Sequence, residues 1–269
     1  MATSKDSLGD RMKLFFEDRA KTKLLRRIPV IIRLDGRSFS QFCKRFKKPF
    51  DETLHSMLNN VMIHLCSKIQ GAKFAERHSD EISIVVTDYD TLQTDAFFDY
   101  EVEKICSITA SMAATEFCKQ LVMNTTFIGN EIKEYLNKDE DWPVFDSRCF
   151  NIPEREVENY FYWRNRDCVR SSINMLGQSK FSHKEMQNKN CSQVQEMLFQ
   201  KFGINWNDLP QCQKSGFICV KETSEKEIEK GPKKGEKYMR SYWVAKDAPR
   251  TRDELVKVMN VESWRTKGE

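Results

Sequence analysis

The sequence predicts an α+β fold: an antiparallel or mixed sheet covered by helices in a ferredoxin-like layout, followed by a more helical second half. Three observations carry this. Over the first 150 residues the apolar patterns run strand, helix, hairpin, helix, strand, an order that short connections fold into one covered sheet. One of these strands, Ile28 to Leu34 (IPVIIRL), is a continuous apolar run, the pattern of a strand buried on both faces. With 39% hydrophobic and 31% charged residues over 269 positions, the chain is globular and long enough to bury a core without disulfide staples.

Asp6 to about Leu25 reads as a helix with Leu8, Met12, Phe15, Phe16 and Ala20 on one side. The strand at 28–34 stops at Asp35-Gly36, and a loop rich in Lys and Arg runs to Pro49. Asp51 then caps a helix with apolar Leu54, Leu58, Val61, Leu65 and Ile69, closed by Gly71. Lys73 to Arg77 and Glu81 to Thr87 read as strands joined at His78-Ser79-Asp80. Glu101 to about Leu121 is a second amphipathic helix, and Phe145 to Ile152 a further strand. Pro153 opens a long helix carrying Val157, Phe161, Cys168 and Ile173. Ser182 to Glu185 and Ser192 to Gln195 have the spacing of capping boxes, and Thr251 caps a final short helix. Gly216 to Lys221 and Tyr238 to Ala245 look like paired strands around an exposed charged loop, SEKEIEKGPKKGEK. The shift in pattern puts a division near residue 150: a sheet-bearing domain over 1–150, then a mainly helical region over 151–269 with a charged loop at about 222–237.

Several function classes drop out. No stretch approaches the roughly 18 apolar residues of a membrane span, and the N-terminal MATSKDSLGDRMK has no apolar signal-peptide core. The nine cysteines are scattered, with no CxxC, which argues against a disulfide framework or zinc ribbon and for a cytoplasmic protein. The net charge of +4 hides an asymmetry. Arg11 to Lys48 holds thirteen Lys/Arg against three Asp/Glu, and Glu76 to Glu103 holds nine Asp/Glu against one Arg. The basic run asks for a polyanionic partner.

Asp35 ends the apolar strand and Asp80 sits at the hairpin tip, so both project from one edge of the sheet. Two carboxylates so placed suit divalent cations that keep coordination sites for phosphate oxygens. Gly36 lets backbone approach a ligand closely. The plain alternative is that Asp-Gly and Ser-Asp are ordinary turn residues. His78, two residues before Asp80, is an acid–base candidate that a metal mechanism does not require.

Arg33-Leu34-Asp35-Gly36-Arg37-Ser38-Phe39, followed by Ser79-Asp80-Glu81, resembles the two signature blocks of the tRNA-His guanylyltransferase superfamily. The similarity runs from roughly Asp6 to Phe199. It implies a palm-like catalytic domain over 1–150, related to polymerases and nucleotide cyclases. The implied enzyme extends the 5′ end of tRNA in the 3′-to-5′ direction. It activates the 5′-phosphate with ATP or GTP, and a nucleotide 3′-hydroxyl then displaces the activating group. By the same resemblance Asp35, Asp80 and the Gly36 carbonyl hold two Mg2+ ions. Arg37, Ser38, Phe39, Ser40, Lys48 and Ser79 contact the nucleotide, Glu81 is a third acid with a less direct role, and the assembly is a homo-tetramer.

One departure separates branches. The branch dedicated to tRNA-His carries HINNLYN where this chain has Ser172-Ile173-Asn174-Met175-Leu176-Gly177-Gln178. The following QSKFSHKEMQNK resembles the branch that repairs 5′-truncated tRNAs on a template, with Gln178 in place of a nucleotide-facing asparagine. Template-dependent repair is therefore the expected activity, with addition of a single 5′ guanosine as the alternative. Arg26, Arg27, Lys44, Arg45, Arg164 and Arg170 are the candidate tRNA contacts, though each alone also suits a solvated face. Trp163, Tyr162 and Phe161 read as core before base-stacking residues. A nucleotide cyclase and a non-catalytic RNA-binding protein with a relict site are the rivals.

Overall fold

The computed structural model describes residues 7–124, 134, 142–228 and 235–264. Its sheet has six strands: β1 (Val30–Gly36), β2 (Ala72–His78), β3 (Glu81–Val86), β4 (Phe145–Asn151), β5 (Phe217–Glu227) and β6 (Lys237–Asp247). Their order is β4-β1-β3-β2-β5-β6, and every neighbouring pair is antiparallel. The first four strands have the ferredoxin-like arrangement. Five longer helices accompany them: α1 (Glu52–Lys68), α2 (Val102–Met123), α3 (Glu154–Gln178), α4 (Cys191–Phe202) and α5 (Arg252–Met259).

The apolar run of β1 is explained by cover on both faces. Val30, Ile32 and Leu34 pack with Leu58, Val61 and Leu65 of α1 and Ile105, Phe117 and Leu121 of α2. Ile31, with Phe74 and Val85, packs on the other face with Val157 and Phe161 of α3 and Leu255 and Met259 of α5. Removing such a side chain from water contributes about 1.5–3 kcal/mol. A third cluster, around Ile173, Leu176, Val194, Leu198 and Trp206, fixes the far end of α3 against α4.

Local signals fall where the sequence puts them at most helix starts. The Asp51 carboxylate accepts from Leu54 N at 2.9 Å and starts α1. Ser182 and Glu185 form a reciprocal capping box. The second box is displaced: Asn190 and Gln193, not Ser192 and Gln195, cap α4, because asparagine competes well for the cap position.

Three expectations need correction. The charged stretch expected as a loop at about 222–237 is strand over Glu222–Glu227 and again at Lys237. β5 and β6 pair in continuous register from Phe217↔Asp247 to Glu227↔Lys237, and opposite charges meet along the ladder at Lys237–Glu225 (3.0 Å) and Lys246–Glu222. Residues 229–234 of that stretch lie outside the described residues. The sheet therefore runs through both halves of the chain, and the expected division at residue 150 falls inside β4. Finally, the N-terminal segment is helical over Ser7–Met12, a π turn over Lys13–Glu17 and Asp18–Ala20. Its apolar side chains are exposed, Leu14 by 61% and Phe16 by 65%.

Candidate active site at the sheet edge

β1 delivers Asp35 to one edge of the sheet, and the turn between β2 and β3 delivers Asp80 to the same edge. The two approach across Gly36. A Cβ on that residue would lie 2.3 Å from Phe39 Cδ2 and 2.8 Å from an Asp80 carboxylate oxygen, so only glycine admits the approach. Ser79 turns the hairpin in the left-handed region, at φ 49°. Arg77 fixes the tip from beneath: its guanidinium donates to the Ser79 carbonyl (2.6 Å) and to Asn59 Oδ1 (3.0 Å) and lies over the Phe217 ring.

Burial raises the Asp35 carboxyl above its ordinary range, and Asp146, directly opposite on β4, raises it further. Burial likewise raises Asp80, against a hydrogen bond from the Ser79 hydroxyl, and the charge of Asp35 adds to the rise. Neither acid forms an ion pair among the described residues. Two nearby cations, Arg33 and Arg164, are engaged by Glu81. Glu81 is held bidentately by Arg164, with Nε to Oε1 and Nη2 to Oε2 both at 2.7 Å, and also by Arg33 Nη2. Arg164 also donates to His78 Nε2 (3.1 Å). Burial pushes His78 down to about 3, leaving it a neutral acceptor and ending its candidacy as an acid–base group near neutral pH.

This arrangement leaves two partly buried carboxylates that repel one another with no cation between them. Among the described residues no group of three or more His, Cys, Asp or Glu side chains is gathered for a metal ion. A donor set of two carboxylates fits Mg2+, which binds through one or two carboxylates and completes its shell with phosphate and water; it does not fit a structural zinc site.

Beside the tip lies a cavity lined by Phe46, Lys48, His55, Arg77 and Met175, with Ser79 and Asp80 on the same wall. It is largely apolar, and burial pushes its His55 down to about 4. Arg77 is 1% exposed, and its Nη2 has no hydrogen-bond partner among the described residues. An orphaned buried donor on a residue lining a largely apolar cavity suits a ligand with a planar apolar body and acceptor atoms.

The structure brings Asp35, Gly36, Ser79, Asp80 and Lys48 to this region. Arg37, Ser38 and Ser40 follow on the exposed turn after β1, with Arg37 N donating to the Val144 carbonyl (2.9 Å). The Phe39 ring is buried among Phe42, Phe117 and Phe145. Gln178 is exposed at the end of α3, while Ser171, Ser172 and Met175 of that helix reach the cavity. Lys44 bonds Gln41 Oε1 (2.6 Å) and Arg45 bonds the Gln41 carbonyl (3.4 Å) on the following turn.

Three expected surface cations have other work. Arg26 pairs with Asp88 (2.5 Å) and Asp99 (3.2 Å), and Arg27 donates to the carbonyls of Thr91 and Leu92. Arg164 is 5% exposed and belongs to the Glu81 clamp. Arg170 stays exposed, paired with Asp167. Trp163, expected in the core, is 54% exposed, whereas Phe161 is buried. Arg77, His55 and Met175 escaped the sequence reading, because nothing local marks a buried arginine in a strand as the support of a turn.

A palm-like antiparallel sheet with two acids at one edge and a cavity beside them suits metal-assisted phosphoryl transfer, and similarity to known proteins defines the class as nucleotidyltransferase. A family model described as tRNAHis guanylyltransferase matches residues 9–153. The solved structure "Bacterial tRNA(HIS) Guanylyltransferase (Thg1)-Like Protein in complex with ATP" superimposes with a TM-score of 0.76 at 35% identity, covering 95% of this chain and 98% of that one. A GTP complex of the same description gives 0.69 at 33% identity, covering 95% and 99%. The probable tRNA(His) guanylyltransferase of Dictyostelium discoideum is 28% identical over 214 residues, 74% of this chain and 77% of that protein. The chain belongs to the tRNAHis guanylyltransferase family.

Proposed function

We propose that the protein is a magnesium-dependent 3′–5′ nucleotidyltransferase that activates and extends the 5′ end of tRNA, repairing 5′-truncated tRNA on the template of its own opposite strand. The observation that carries this is the pair Asp35 and Asp80, held at one edge without a counter-cation while Arg33 and Arg164 are taken by Glu81. Two Mg2+ ions on these carboxylates and the Gly36 carbonyl would lower the pKa of the attacking hydroxyl and stabilise charge on the leaving phosphate. The chain's own residues bind and orient. The base of ATP or GTP enters the cavity against Phe46 and Met175, with Arg77 Nη2 donating to an acceptor on it. Lys48, Ser79 and the backbone after Gly36 hold the triphosphate. In the activation step the tRNA 5′-phosphate attacks the α-phosphorus, and pyrophosphate leaves. In the addition step the 3′-hydroxyl of an incoming nucleotide attacks the activated phosphate, and the activating nucleoside monophosphate leaves.

Repair is supported by the run Ser172 to Gln178, which departs from the branch dedicated to tRNA-His. Single-guanosine addition is the second reading, supported by the names of the curated relatives. Addition assays on 5′-truncated tRNAs with a varied template base separate them. Product that follows the template means repair, and guanosine regardless of template means the second reading. Cyclic product from nucleotide alone overturns both. Asp80→Ala is expected to abolish addition; full activity in that variant defeats the two-acid assignment.

Self-association as a tetramer is supported by the exposed Leu14, Phe15 and Phe16, and light scattering on Phe15→Ser/Phe16→Ser tests it. Among the described residues no helix is long and apolar enough to cross a membrane. Nine free cysteines support a reducing, cytoplasmic setting.

A further inference from the structure

Helix α3 has a concavity on each of two flanks. Cys168, Ser171, Ser172 and Met175 face the cavity beside Asp80. Tyr162, Trp163, Arg166 and Arg170 line a second, open groove, closed on its far side by Cys191 and Arg250. We propose that this second groove binds the unpaired 3′-terminal nucleotides of the tRNA, with one base stacked on Trp163 and the flanking phosphates on Arg166, Arg170 and Arg250. The inference rests on the tRNA 5′-end activity proposed above and assigns that substrate a second foothold.

Trp163 is the most exposed of the five tryptophans, at 54% against 42% for Trp142, whereas Trp206 and Trp264 are buried. It is exposed yet fixed. The Arg164 guanidinium lies over the ring, 4.6 Å from its centroid, and Tyr160 meets it edge-on at 5.9 Å. Arg164 is in turn immobilised by its two bonds to Glu81. An aromatic ring backed by a rigid guanidinium and open to solvent is a ready stacking platform, and every base offers it a π-face.

The charge around the ring selects a polyanion. Three arginines line the groove against one carboxylate, Asp167, which is shared between Arg164 and Arg170. Arg166 is exposed and makes no hydrogen bond or ion pair among the described residues. The Arg250 guanidinium is positioned over the buried ring of Trp206. A double helix keeps its base faces stacked, so a lone platform of this kind takes single-stranded nucleotides. Placement selects the strand. Trp163 is adjacent to Arg164, which grips Glu81, and Glu81 follows Asp80 at the reaction edge. In tRNA the unpaired nucleotides nearest the 5′ end are those extending from the 3′ side of the acceptor stem.

The test compares the wild type with Trp163→Leu, which keeps an apolar side chain, and Arg166→Ala, which removes an exposed side chain without a hydrogen bond or ion pair among the described residues. The substrate is a 5′-truncated tRNA with or without its 3′ single-stranded tail. Loss of one stacked base is expected to raise KM for tRNA about fivefold to a hundredfold, with KM for ATP and kcat at saturating tRNA unchanged. Removing the tail should raise the wild-type KM at least as much and have a smaller effect in Trp163→Leu, which keeps only the arginine contacts. Arg166→Ala should reduce the slope of log affinity against log salt by about one. Equal tRNA KM in wild type and Trp163→Leu, or an undiminished effect of the tail in that variant, overturns the inference while leaving the activity intact. If the wild type extends no tRNA, the functional reading falls, and tRNA binding by tryptophan fluorescence judges the groove. Quenching that depends on both the tail and Trp163 upholds it, and quenching identical in Trp163→Phe rejects it.

Discussion

At Gly36 a methyl group has nowhere to go: Phe39 below and the Asp80 carboxylate beside it both lie within 3 Å of where it would stand. Phe39 is locked among three other rings, so the displacement falls on Asp80. A shift of about 1 Å at a reacting centre costs about 100-fold. Gly36→Ala is thus expected to lower kcat/KM for nucleotide addition by about that factor with a circular dichroism spectrum like the wild type's. A second residue-scale prediction concerns Glu76. It is buried, one oxygen accepts from Asn165 at 3.2 Å, the other has no partner, and burial pushes its carboxyl up to about 8. The folded protein therefore keeps a proton that the unfolded chain releases above its ordinary 4.5. The stability tied to that proton is fully present below pH 4.5 and is lost as pH rises to about 8. Glu76→Gln should flatten this decline. Urea midpoints for variant and wild type should draw together in acid and separate in favour of the variant above pH 8; parallel curves would refute the assignment.

Helix α3 and the β2–β3 hairpin hold one another through the Arg164–Glu81 pair, both partners less than a tenth exposed. Breaking a buried pair from one side leaves an uncompensated charge, at about 3–5 kcal/mol. Arg164→Ala is expected to lose that much in chemical denaturation, and Arg164→Ala with Glu81→Gln to recover part of it. No recovery in the double variant would mean that Arg164 acts through packing alone. The same pair marks what the sequence made legible. Asp35 ends an apolar strand and Asp80 sits in a hairpin turn, and the two motif blocks taken together are what mark them as a pair. The partner of Glu81 lies 83 residues away on a helix whose pattern only announces amphipathicity. Helix starts were readable where a cap sits before an apolar run, as at Asp51 and Ser182. The outer half of β5 was not: Glu222 to Glu227 carries charges rather than alternating apolar and polar groups, and the pairing that stabilises it is visible only once Glu225 faces Lys237 and Glu222 reaches Lys246.

Across the whole molecule, the basic run before β1 and the acidic run after β3 turn out to face each other. Asp88, fully buried, accepts from Arg26 Nε at 2.5 Å and from the Arg27 amide at 2.9 Å, and Asp99 reaches both Lys23 and Arg26. Much of the asymmetry seen along the chain is thus cancelled within the fold, and the cations left for RNA are fewer than the sequence suggests. Asp88→Asn should cost about 1–3 kcal/mol by weakening the buried acceptor that holds the Arg26 side chain and the Arg27 amide. Its tRNA affinity should not rise in proportion to the freed charge, which filter binding at graded salt measures.

Among the described residues the sheet ends in two rim strands, β4 and β6. Each carries charges along its length: Asp146 and Arg148 on one, Lys237, Arg240, Lys246 and Asp247 on the other. A foreign strand docking at either rim would have to bring its backbone against those charges. Growth of the sheet from molecule to molecule, the usual route from an open antiparallel sheet to insoluble fibres, is thereby blocked at both ends.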